Sequence, residues 1–569
     1  MVTQNITLDG TTTVTEFGRT FIWGNHNLQM MNVYADTGAP SNLLNLTFAG
    51  AAWAIDSLTV SSATRLNVTI TEANDGIGRY IESMRVINGD ATISLSSSYI
   101  QSLRVGDPGL GSTLNLTIQD GGAGVVRAYD GNDSVTLGNA GIDFLSLGSG
   151  NNTVNGGSVH IGTIRADGNN LINLSNGAET IRLGGGTNAV NLTGDTVDSL
   201  YATGNDTISL FGDARILQLK MDQGVNILST ETGNIESIYA FHAQNTIVLG
   251  LGGAQQIVLS GSAAEQQVSS VGWLGSLQVY AGDQVNVQTT TVAVGIGGAG
   301  YIQTSKGDDI ILTGGGKVNH IDTFDGNDKV IIAIGGAGTI TTGIGDDTVT
   351  AVKAYVDYIA TEDGNDTLTL GAGGARFVAL GAGDDTVSLV AIPADFGLTI
   401  DGDEGSDTVN LSRFSQGVTV SLNQGGNFQD FGLTGAGFFL LHDLENLIGT
   451  TKADTFTGNG LANRLEGGLG TDNLSGLDGD DQLVGGKGND LLTGGLGLDT
   501  FIFVAGDGSD RITDFTLGED HLSIAGTTRL ADMTFAKLGL DAQVSVGTLH
   551  ILVEHMTVAD LRDAANFLF

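Results

Sequence analysis

Short runs of alternating apolar and polar residues recur along most of the chain. Runs such as DTVTAV, DTLTLG and DTVSLV each begin with the last Asp of a Gly-Asp-Asp or Gly-Asn-Asp triplet. A second alternating run, such as HIDTF or YIATE, precedes the next triplet. Alternation of this kind is typical of a strand with one buried face. The pattern therefore predicts a repeating unit of turn, strand, turn and strand.

The repeating unit has two periods. The triplets recur every 19 residues, starting at Gly307, Gly326, Gly345, Gly364 and Gly383. Nearer the C-terminus the period is nine, in GGLGTDNLS, GLDGDDQLV, GGKGNDLLT and GGLGLDTFI, which begin at Gly467, Gly476, Gly485 and Gly494. Two nine-residue repeats make a coil of nearly the size of one longer unit. Fixed periods indicate a solenoid, so the predicted fold is all-β: an elongated parallel β-solenoid (β-helix or β-roll) with rungs of about 19 residues.

A weaker form of the unit extends towards the N-terminus. Its polar column advances in steps of 18 to 20 residues through Asp133, Asn152, Asn170, Asn188, Asp206, Asn226 and Asn245. The spacing is looser in the first 120 residues, and the stretch 262–300 interrupts it, which predicts irregular rungs in both places. A helix is expected only in the C-terminal segment MTVADLRDAANFLF, with Val558, Leu561, Ala565 and Leu568 on one side.

The chain is strongly acidic, and this limits how it can fold and what it can bind. Lys and Arg total 23 against 63 Asp and Glu, which gives a formal net charge of −40. Self-repulsion at this charge opposes compaction, so a divalent cation is expected to neutralise part of it. The acidic balance also argues against nucleic acid and against anionic membranes as partners. No apolar run is long enough for a transmembrane helix, so membrane insertion is not expected.

The turns have the composition of a calcium site. Ca²⁺ takes six to eight oxygen ligands and accepts backbone carbonyls beside carboxylates. Glycines allow a tight turn to direct its carbonyls inward, and the Asp that ends the turn adds a carboxylate. The predicted cofactor is therefore Ca²⁺, held between neighbouring rungs.

The four nonapeptides match GGxGxDxUx, in which U is a large apolar residue, and this motif resembles the calcium-binding β-roll repeat of the RTX (repeats-in-toxin) family. Residues 406–458 are similar to the linker that precedes such repeats, and residues 501–526 to the segment that caps them. The ending Asn-Phe-Leu-Phe is similar to the uncleaved signal of type I secretion substrates. Because the N-terminus lacks a cleavable signal pattern, the resemblance implies type I secretion and an extracellular or cell-surface location.

The resemblance also implies a set of calcium ligands. The β-roll ligands are Asp472, Asp481, Asp490 and Asp499. Their counterparts in the longer rungs are Asp309, Asp328, Asp347, Asp366 and Asp385, and the edge ligands are Asp407 and Asp454. Asn463 departs from the motif, which puts its site in doubt. In the earlier column Asn mostly replaces Asp, so a hydrogen-bonded Asn ladder poor in metal is expected there.

The chain is expected to divide into six segments. They are an N-terminal cap or assembly segment (1–50), an Asn-rich solenoid (51–300), a calcium-binding solenoid of 19-residue rungs (301–410), linker strands (411–450), a nonapeptide β-roll with its cap (451–526) and a C-terminal secretion-signal region (527–569). The first segment has an atypical sequence, and its neighbourhood contains Trp23 and Trp53.

The sequence lacks the usual catalytic signatures. There is no His-Glu-x-x-His motif, no Gly-x-Ser-x-Gly elbow and no cysteine. The expected function is therefore non-enzymatic: an extracellular structural or adhesive protein, such as a surface-layer (S-layer), matrix or filament component. Its expected partners are calcium ions, other copies of itself, the type I secretion machinery and cell-surface polysaccharide. The alternative is a uronan epimerase or lyase, because Arg85, Arg104, Arg165 and Arg182 are spaced as a short basic ladder.

Overall fold

The computed structural model describes backbone and side chains of residues 55–60, 66–70, 80–87, 89–260, 265–280, 289–391, 397–423, 425–432 and 438–569. Before residue 54 it describes only the backbone of five strands. Most of the predicted cap segment 1–50, with Trp23 and also Trp53, therefore lies outside the described residues. The chain forms two compact units, Met1–Asn286 and Val287–Phe569.

The first unit consists of strands. They are β1 (Val2–Leu8), β2 (Val14–Glu16), β3 (Arg19–Phe21), β4 (Met31–Tyr34), β5 (Asn42–Phe48), β6 (Ala54–Ser61), β7 (Arg65–Ile70), β8 (Arg79–Ile87), β9 (Asp90–Val105), β10 (Leu114–Ala128), β11 (Ser134–Leu147), β12 (Asn151–Asn155), β13 (Ile161–Ala166), β14 (Asn169–Leu174), β15 (Ala178–Leu183), β16 (Thr187–Leu192), β17 (Thr196–Thr203), β18 (Asn205–Leu210), β19 (Arg215–Asp222), β20 (Val225–Thr230), β21 (Asn234–Phe241), β22 (Gln244–Leu249), β23 (Ala254–Gly261), β24 (Gln266–Ser270) and β25 (Leu274–Ala281).

The second unit also consists mainly of strands. They are β26 (Thr290–Val294), β27 (Ala299–Gln303), β28 (Ile310–Thr313), β29 (Val318–Asp322), β30 (Lys329–Ile331), β31 (Ala337–Thr341), β32 (Thr348–Ala351), β33 (Val356–Asp363), β34 (Thr367–Leu370), β35 (Ala375–Ala382), β36 (Thr386–Leu389), β37 (Leu398–Glu404), β38 (Thr408–Asn410), β39 (Thr419–Ser421), β40 (Phe439–His442), β41 (Asn446–Ile448), β42 (Thr455–Thr457), β43 (Arg464–Leu469), β44 (Asn473–Asp478), β45 (Gln482–Lys487), β46 (Leu491–Leu496), β47 (Thr500–Phe503), β48 (Ser509–Ile512), β49 (His521–Ile524), β50 (Thr534–Leu538), β51 (Asp541–Val546), β52 (Leu549–Val553) and β53 (Phe567–Leu568).

From β12 onwards in the first unit, alternate strands stack in parallel and enclose the core. From β13 to β25 the odd strands form one stack, in which equivalent inward positions pair along a buried column: Ile164, Ile181, Leu200, Leu219, Ile238, Ile257 and Leu277. From β12 to β24 the even strands form the facing stack, whose buried column is Val154, Ile172, Val190, Ile208, Leu228, Ile247 and Val268. These side chains fill the space between two parallel sheets, as apolar columns do in a β-solenoid. The predicted all-β parallel solenoid is confirmed.

The second unit repeats this arrangement with more regular rungs. One buried column runs through Ile302, Ile321, Ile340, Ile359, Val378, Ile400 and Leu441. In the nonapeptide region each repeat supplies a strand alternately to two sheets. One sheet buries Leu447, Leu465, Leu483, Phe501 and Leu522, and the other buries Val420, Phe456, Leu474, Leu492 and Ile512.

The C-terminal segment corrects the expected amphipathic helix. It contains only one helical turn, α1 (Val558–Leu561), a 3-10 turn at Ala564–Asn566, and β53. Thr557 caps α1, and Leu561 and Phe567 are buried, whereas Ala565 and Leu568 are exposed. The chain ends extended because β53 pairs with β49. Another 3-10 turn lies at Leu530–Asp532, and among the described residues no helix has the length and apolarity to span a membrane.

Candidate metal centre

A column of buried aspartates marks the turns of the 19-residue rungs. Each aspartate follows a Gly-Asp or Gly-Asn pair, or Gly-Ser at Asp407, and precedes a strand. The stacking of the strands therefore brings the carboxylates into register. The backbone N–H of each one donates to Oδ1 of the next: Asp309 to Asp328 at 2.7 Å, Asp328 to Asp347 at 2.7 Å, Asp347 to Asp366 at 2.7 Å, Asp366 to Asp385 at 2.6 Å and Asp385 to Asp407 at 2.9 Å. All six are at most 2% exposed. Five predicted ligands and the edge residue Asp407 therefore form one continuous column.

In the nonapeptide region the nine-residue steps alternate between two columns, because successive repeats enter opposite sheets. One column links Asp454 to Asp472 at 2.7 Å and Asp472 to Asp490 at 2.8 Å, and it continues from Asp490 to Asp510 at 3.0 Å. The other links Asn463 to Asp481 at 2.7 Å and Asp481 to Asp499 at 3.0 Å, and it continues from Asp499 to Asp520 at 3.1 Å.

The second carboxylate oxygen is buried and without a hydrogen-bond partner at most of these residues. This holds for Oδ2 of Asp309, Asp328, Asp347, Asp366, Asp385, Asp407, Asp472, Asp481, Asp490, Asp499 and Asp510. A buried oxygen without a partner is costly, and it requires an explanation such as a bound ion. Ca²⁺ coordinates carboxylate oxygens and needs several at once. The residues present therefore fit the cation that the turn sequence predicts.

Glycines keep the space beside these oxygens open. A Cβ on Gly467 would lie 2.5 Å from Asp472 Oδ2, and a Cβ on Gly485 would lie 2.5 Å from Asp490 Oδ2. A methyl group cannot occupy either place without displacing the carboxylate. The first residue of the nonapeptide must therefore be glycine, because a side chain there would occupy the space next to the aspartate five residues later.

Burial raises the pKa of the stacked carboxyls, chiefly because removal from water disfavours the charged form. It raises the pKa of Asp472 and Asp481 to about 7. The pKa of Asp309 and Asp328 is likewise raised to about 7, and that of Asp490 to about 6. Neighbouring aspartates raise the pKa of Asp472 and Asp481 further, because like charges lie in successive rungs. A cation between the rungs would reverse both effects and hold the carboxylates ionised.

Three members of the columns have internal partners instead. Both oxygens of Asp454 accept backbone N–H groups, Oδ1 from Val418 at 2.7 Å and Oδ2 from Thr450 at 2.6 Å. Oδ2 of Asp520 accepts the N–H of Thr516 at 2.7 Å. Asn463 accepts from the N–H of Asn459 at 2.8 Å. Both oxygens of Asp454 have partners. Asp454 therefore lacks the buried, unpartnered Oδ2 that the other predicted ligands have.

Sequence reasoning missed three column members. Glu445 accepts the N–H of Asp407 at 2.9 Å, and Asp510 and Asp520 extend the two nonapeptide columns. Glu445 follows Asp407 by 38 residues, which is two rungs of 19, so the period could have located it. Asp510 and Asp520 follow their neighbours by 20 and 21 residues, and these longer steps conceal them from a strict nine-residue register.

The polar column of the first unit is a ladder of amides. Asn152 Nδ2 donates to Asn170 Oδ1 at 2.9 Å, Asn170 to Asn188 at 2.7 Å, and Asn188 to Asp206 Oδ1 at 2.7 Å. Further along, Asn226 donates to Asn245 at 3.1 Å and Asn245 to Gln266 Oε1 at 2.9 Å. An amide supplies both a donor and an acceptor, so it satisfies its neighbours without an ion. Gln266 carries the ladder into the stretch where the sequence pattern is interrupted.

One comparison with known proteins identifies the repeats of the chain. The RTX calcium-binding nonapeptide repeat family matches four segments, residues 129–158, 353–374, 445–474 and 466–501. A search of curated proteins gave no match. Among solved structures, the extracellular lipase LipA from Serratia marcescens aligns at 16% identity with a TM-score of 0.17, over 46% of this chain and 45% of the lipase. The alignment thus spans less than half of either protein.

The matched repeats are calcium-binding motifs, and three of the four matched segments lie in the unit that contains the aspartate columns. The remaining segment contains Asp133 and the start of the amide ladder. The chain therefore contains RTX calcium-binding nonapeptide repeats in both of its units.

Proposed function

We propose that the protein is an extracellular structural or adhesive protein, without enzymatic activity, that folds and self-assembles when it binds calcium after type I secretion. The observation that carries the proposal is the set of eleven buried aspartate oxygens without partners in the second unit. They lie in columns that join one rung to the next, so a cation bound there would act on the stacking of the rungs.

The folding step follows from electrostatics. Without a cation, stacked carboxylates such as Asp472 and Asp490 repel one another and lose hydration on burial. The folded second unit is then disfavoured at neutral pH. An unfolded chain can pass through a narrow exporter, so this instability favours secretion. Calcium outside the cell binds the folded state alone and stabilises it by mass action.

The assembly step follows from the architecture. Most of the described strands of both units stack in parallel as rungs, and a solenoid exposes unpaired backbone groups where its stack ends. Such edges can pair with another copy of the chain. A repetitive scaffold of this kind suits a surface layer, a matrix or a filament.

The test compares the full chain with calcium and after its removal by EGTA. Circular dichroism is expected to show more β-structure with calcium than without it, because the amide ladder of the first unit needs no ion and the second unit does. Electron microscopy of the calcium-loaded protein is expected to show ordered sheets or filaments. Equal β-content in both conditions would refute calcium-dependent folding, and strictly monodisperse particles would refute assembly. Unsaturated sugars or altered uronate composition after incubation with acidic polysaccharides would instead establish the enzyme alternative.

A further inference from the structure

Almost all Lys and Arg residues in this part of the first unit lie in one outward-facing column. Strand pairing places Arg85, Arg104, Arg127, Ser146, Arg165, Arg182, Tyr201, Lys220 and Tyr239 in successive register. Six of the seven Lys and Arg residues between positions 80 and 260 lie in this column. Strands lie about 4.8 Å apart, so the column from Arg85 to Lys220 is about 34 Å long and one residue wide.

Most of these cations have no carboxylate partner. Arg85 and Arg104 share Asp107, at 3.1 Å and 3.3 Å. Arg127, Arg165, Arg182 and Lys220 are exposed, and within the described residues no carboxylate forms an ion pair with them. Four free positive charges thus lie in a row on a chain whose net charge is −40.

Aromatic rings hold three of these four cations in place. The Arg182 guanidinium lies 5.2 Å from the ring centre of Tyr201, and that of Arg127 lies 5.5 Å from the ring centre of Phe144. The Lys220 ammonium lies 5.5 Å from the ring of Phe241. A cation held over a ring is positioned without being neutralised, so the charge stays available to a ligand.

The aromatic residues of the column are also fixed. The Tyr201 hydroxyl donates to Gln218 Oε1 at 3.0 Å, and the Tyr239 hydroxyl donates to Gln256 Oε1 at 3.0 Å. From Arg165 to Tyr239 the column reads cation, cation, aromatic, cation, aromatic. Aromatic rings with a polar end suit partly apolar, partly hydroxylated surfaces, and sugar rings present such surfaces in a repeating row.

The surrounding charge restricts the partner further. Glu82, Glu179 and Asp198 each lie three positions before a member of the column, on the same strands. A duplex nucleic acid, with a charge every 1.7 Å or so, would be repelled by these residues and by the net charge. A linear polymer with widely spaced anions can instead place each anion close to a cation of the column, within a Debye length of about 8 Å.

We propose that this column binds a linear acidic polysaccharide of low charge density, with Arg165, Arg182 and Lys220 pairing with its carboxylates and Tyr201 and Tyr239 stacking on its sugar rings. The inference rests on the proposed adhesive function and names its ligand.

The test measures binding of the full calcium-loaded chain to three fluorescent probes: hyaluronate, which carries a carboxylate on every second sugar, neutral dextran, and single-stranded DNA. The triple variant R165Q/R182Q/K220Q is expected to weaken hyaluronate binding at least tenfold. The matched variant R215Q changes an exposed arginine on β19 that pairs with Glu236 at 3.3 Å outside the column, and it should bind within twofold of the parent. Added salt should weaken binding by the parent more than by the triple variant.

Several outcomes would overturn the inference. They are equal binding of hyaluronate and dextran, no binding of hyaluronate by the parent, or an equal loss in the triple variant and R215Q. Unchanged affinity in the triple variant would show that calcium bridges the two acidic polymers, and preference for single-stranded DNA would show a nucleic-acid surface. Circular dichroism with and without calcium and electron microscopy of the same samples test the proposed function separately, since folding and assembly can succeed while hyaluronate binding fails.

Discussion

The backbone N–H of Asp472 donates to Oδ1 of Asp490 at 2.8 Å, while Oδ2 of Asp490 is buried and has no hydrogen-bond partner. One carboxylate therefore has two separate roles. Its first oxygen holds the neighbouring rung in register, and its second is free for a cation. This division allows substitutions to separate rung stacking from calcium binding.

Replacing Asp490 by Asn should weaken calcium binding while leaving the rung contact in place. The amide retains an oxygen that can accept from Asp472, but it removes the charge that attracts Ca²⁺, whose affinity depends on ligand charge. We expect the calcium midpoint for folding, followed by circular dichroism, to rise about tenfold, or about 1.4 kcal/mol. Asp478→Asn makes the same charge change at an exposed carboxylate of the same region. It should shift the midpoint much less, because Asp478 acts on Asp481 only through its charge. Equal shifts in both variants would mean that net charge alone controls the midpoint.

Without calcium, the second unit should be more stable in acid than at neutral pH. Burial raises the pKa of Asp472 and Asp481 to about 7 in the folded state, against about 3.9 for an unfolded Asp. The folded state then binds more protons, so this contribution is fully present below about pH 4 and is lost as the pH rises through 7. Urea unfolding in buffers stripped of calcium by a chelating resin should give a higher midpoint at pH 5 than at pH 8.

Calcium should reverse this pH dependence, because Ca²⁺ and protons compete for the same carboxylates. In saturating calcium the urea midpoint should be no lower at pH 8 than at pH 5. If the calcium-free protein were instead more stable at pH 8, the buried carboxylates could not be the groups that limit its folding.

Replacing Gly485 by Ala should prevent calcium-dependent folding of the nonapeptide region. The added Cβ would lie 2.5 Å from Asp490 Oδ2, where it would displace the carboxylate. Gly460→Ala is the matched control, since no atom lies within 4 Å of its Cβ position. Limited proteolysis in calcium should cleave the Gly485 variant within residues 451–526 and leave the Gly460 variant resistant. Resistance of both variants would show that the space beside Asp490 is not required.

The sequence predicted the features that depend on a fixed period. The predicted column from Asp309 to Asp385 lies in register because each rung has 19 residues, and the amide ladder follows from steps of 18 to 20. Asp510 and Asp520 were missed because the turns before them are longer, and only strand pairing shows that the columns continue. The cation column was only partly anticipated. Arg127 lies 38 residues before Arg165, and Lys220 lies 38 residues after Arg182, so two rungs of 19 could have located both. The pairing of β10 and β19 with their neighbours places them in the column.

Asp206 interrupts the amide ladder, and replacing it by Asn should stabilise the first unit. Its Oδ1 accepts from Asn188 at 2.7 Å, but its Oδ2 is buried without a partner, and burial raises its pKa to about 6. An Asn would retain the acceptor and remove a buried charge at neutral pH. We expect Asp206→Asn to stabilise the region by about 1 kcal/mol at pH 7.5 and by less at pH 5, where Asp206 is largely protonated. Hydrogen exchange of peptides covering residues 186–230 would measure this, and slower exchange at pH 7.5 is the expected result. The reverse variant Asn188→Asp places a second acid next to Asp206 and removes the donor that Asp206 needs, so it should speed exchange; faster exchange in both variants would contradict the ladder.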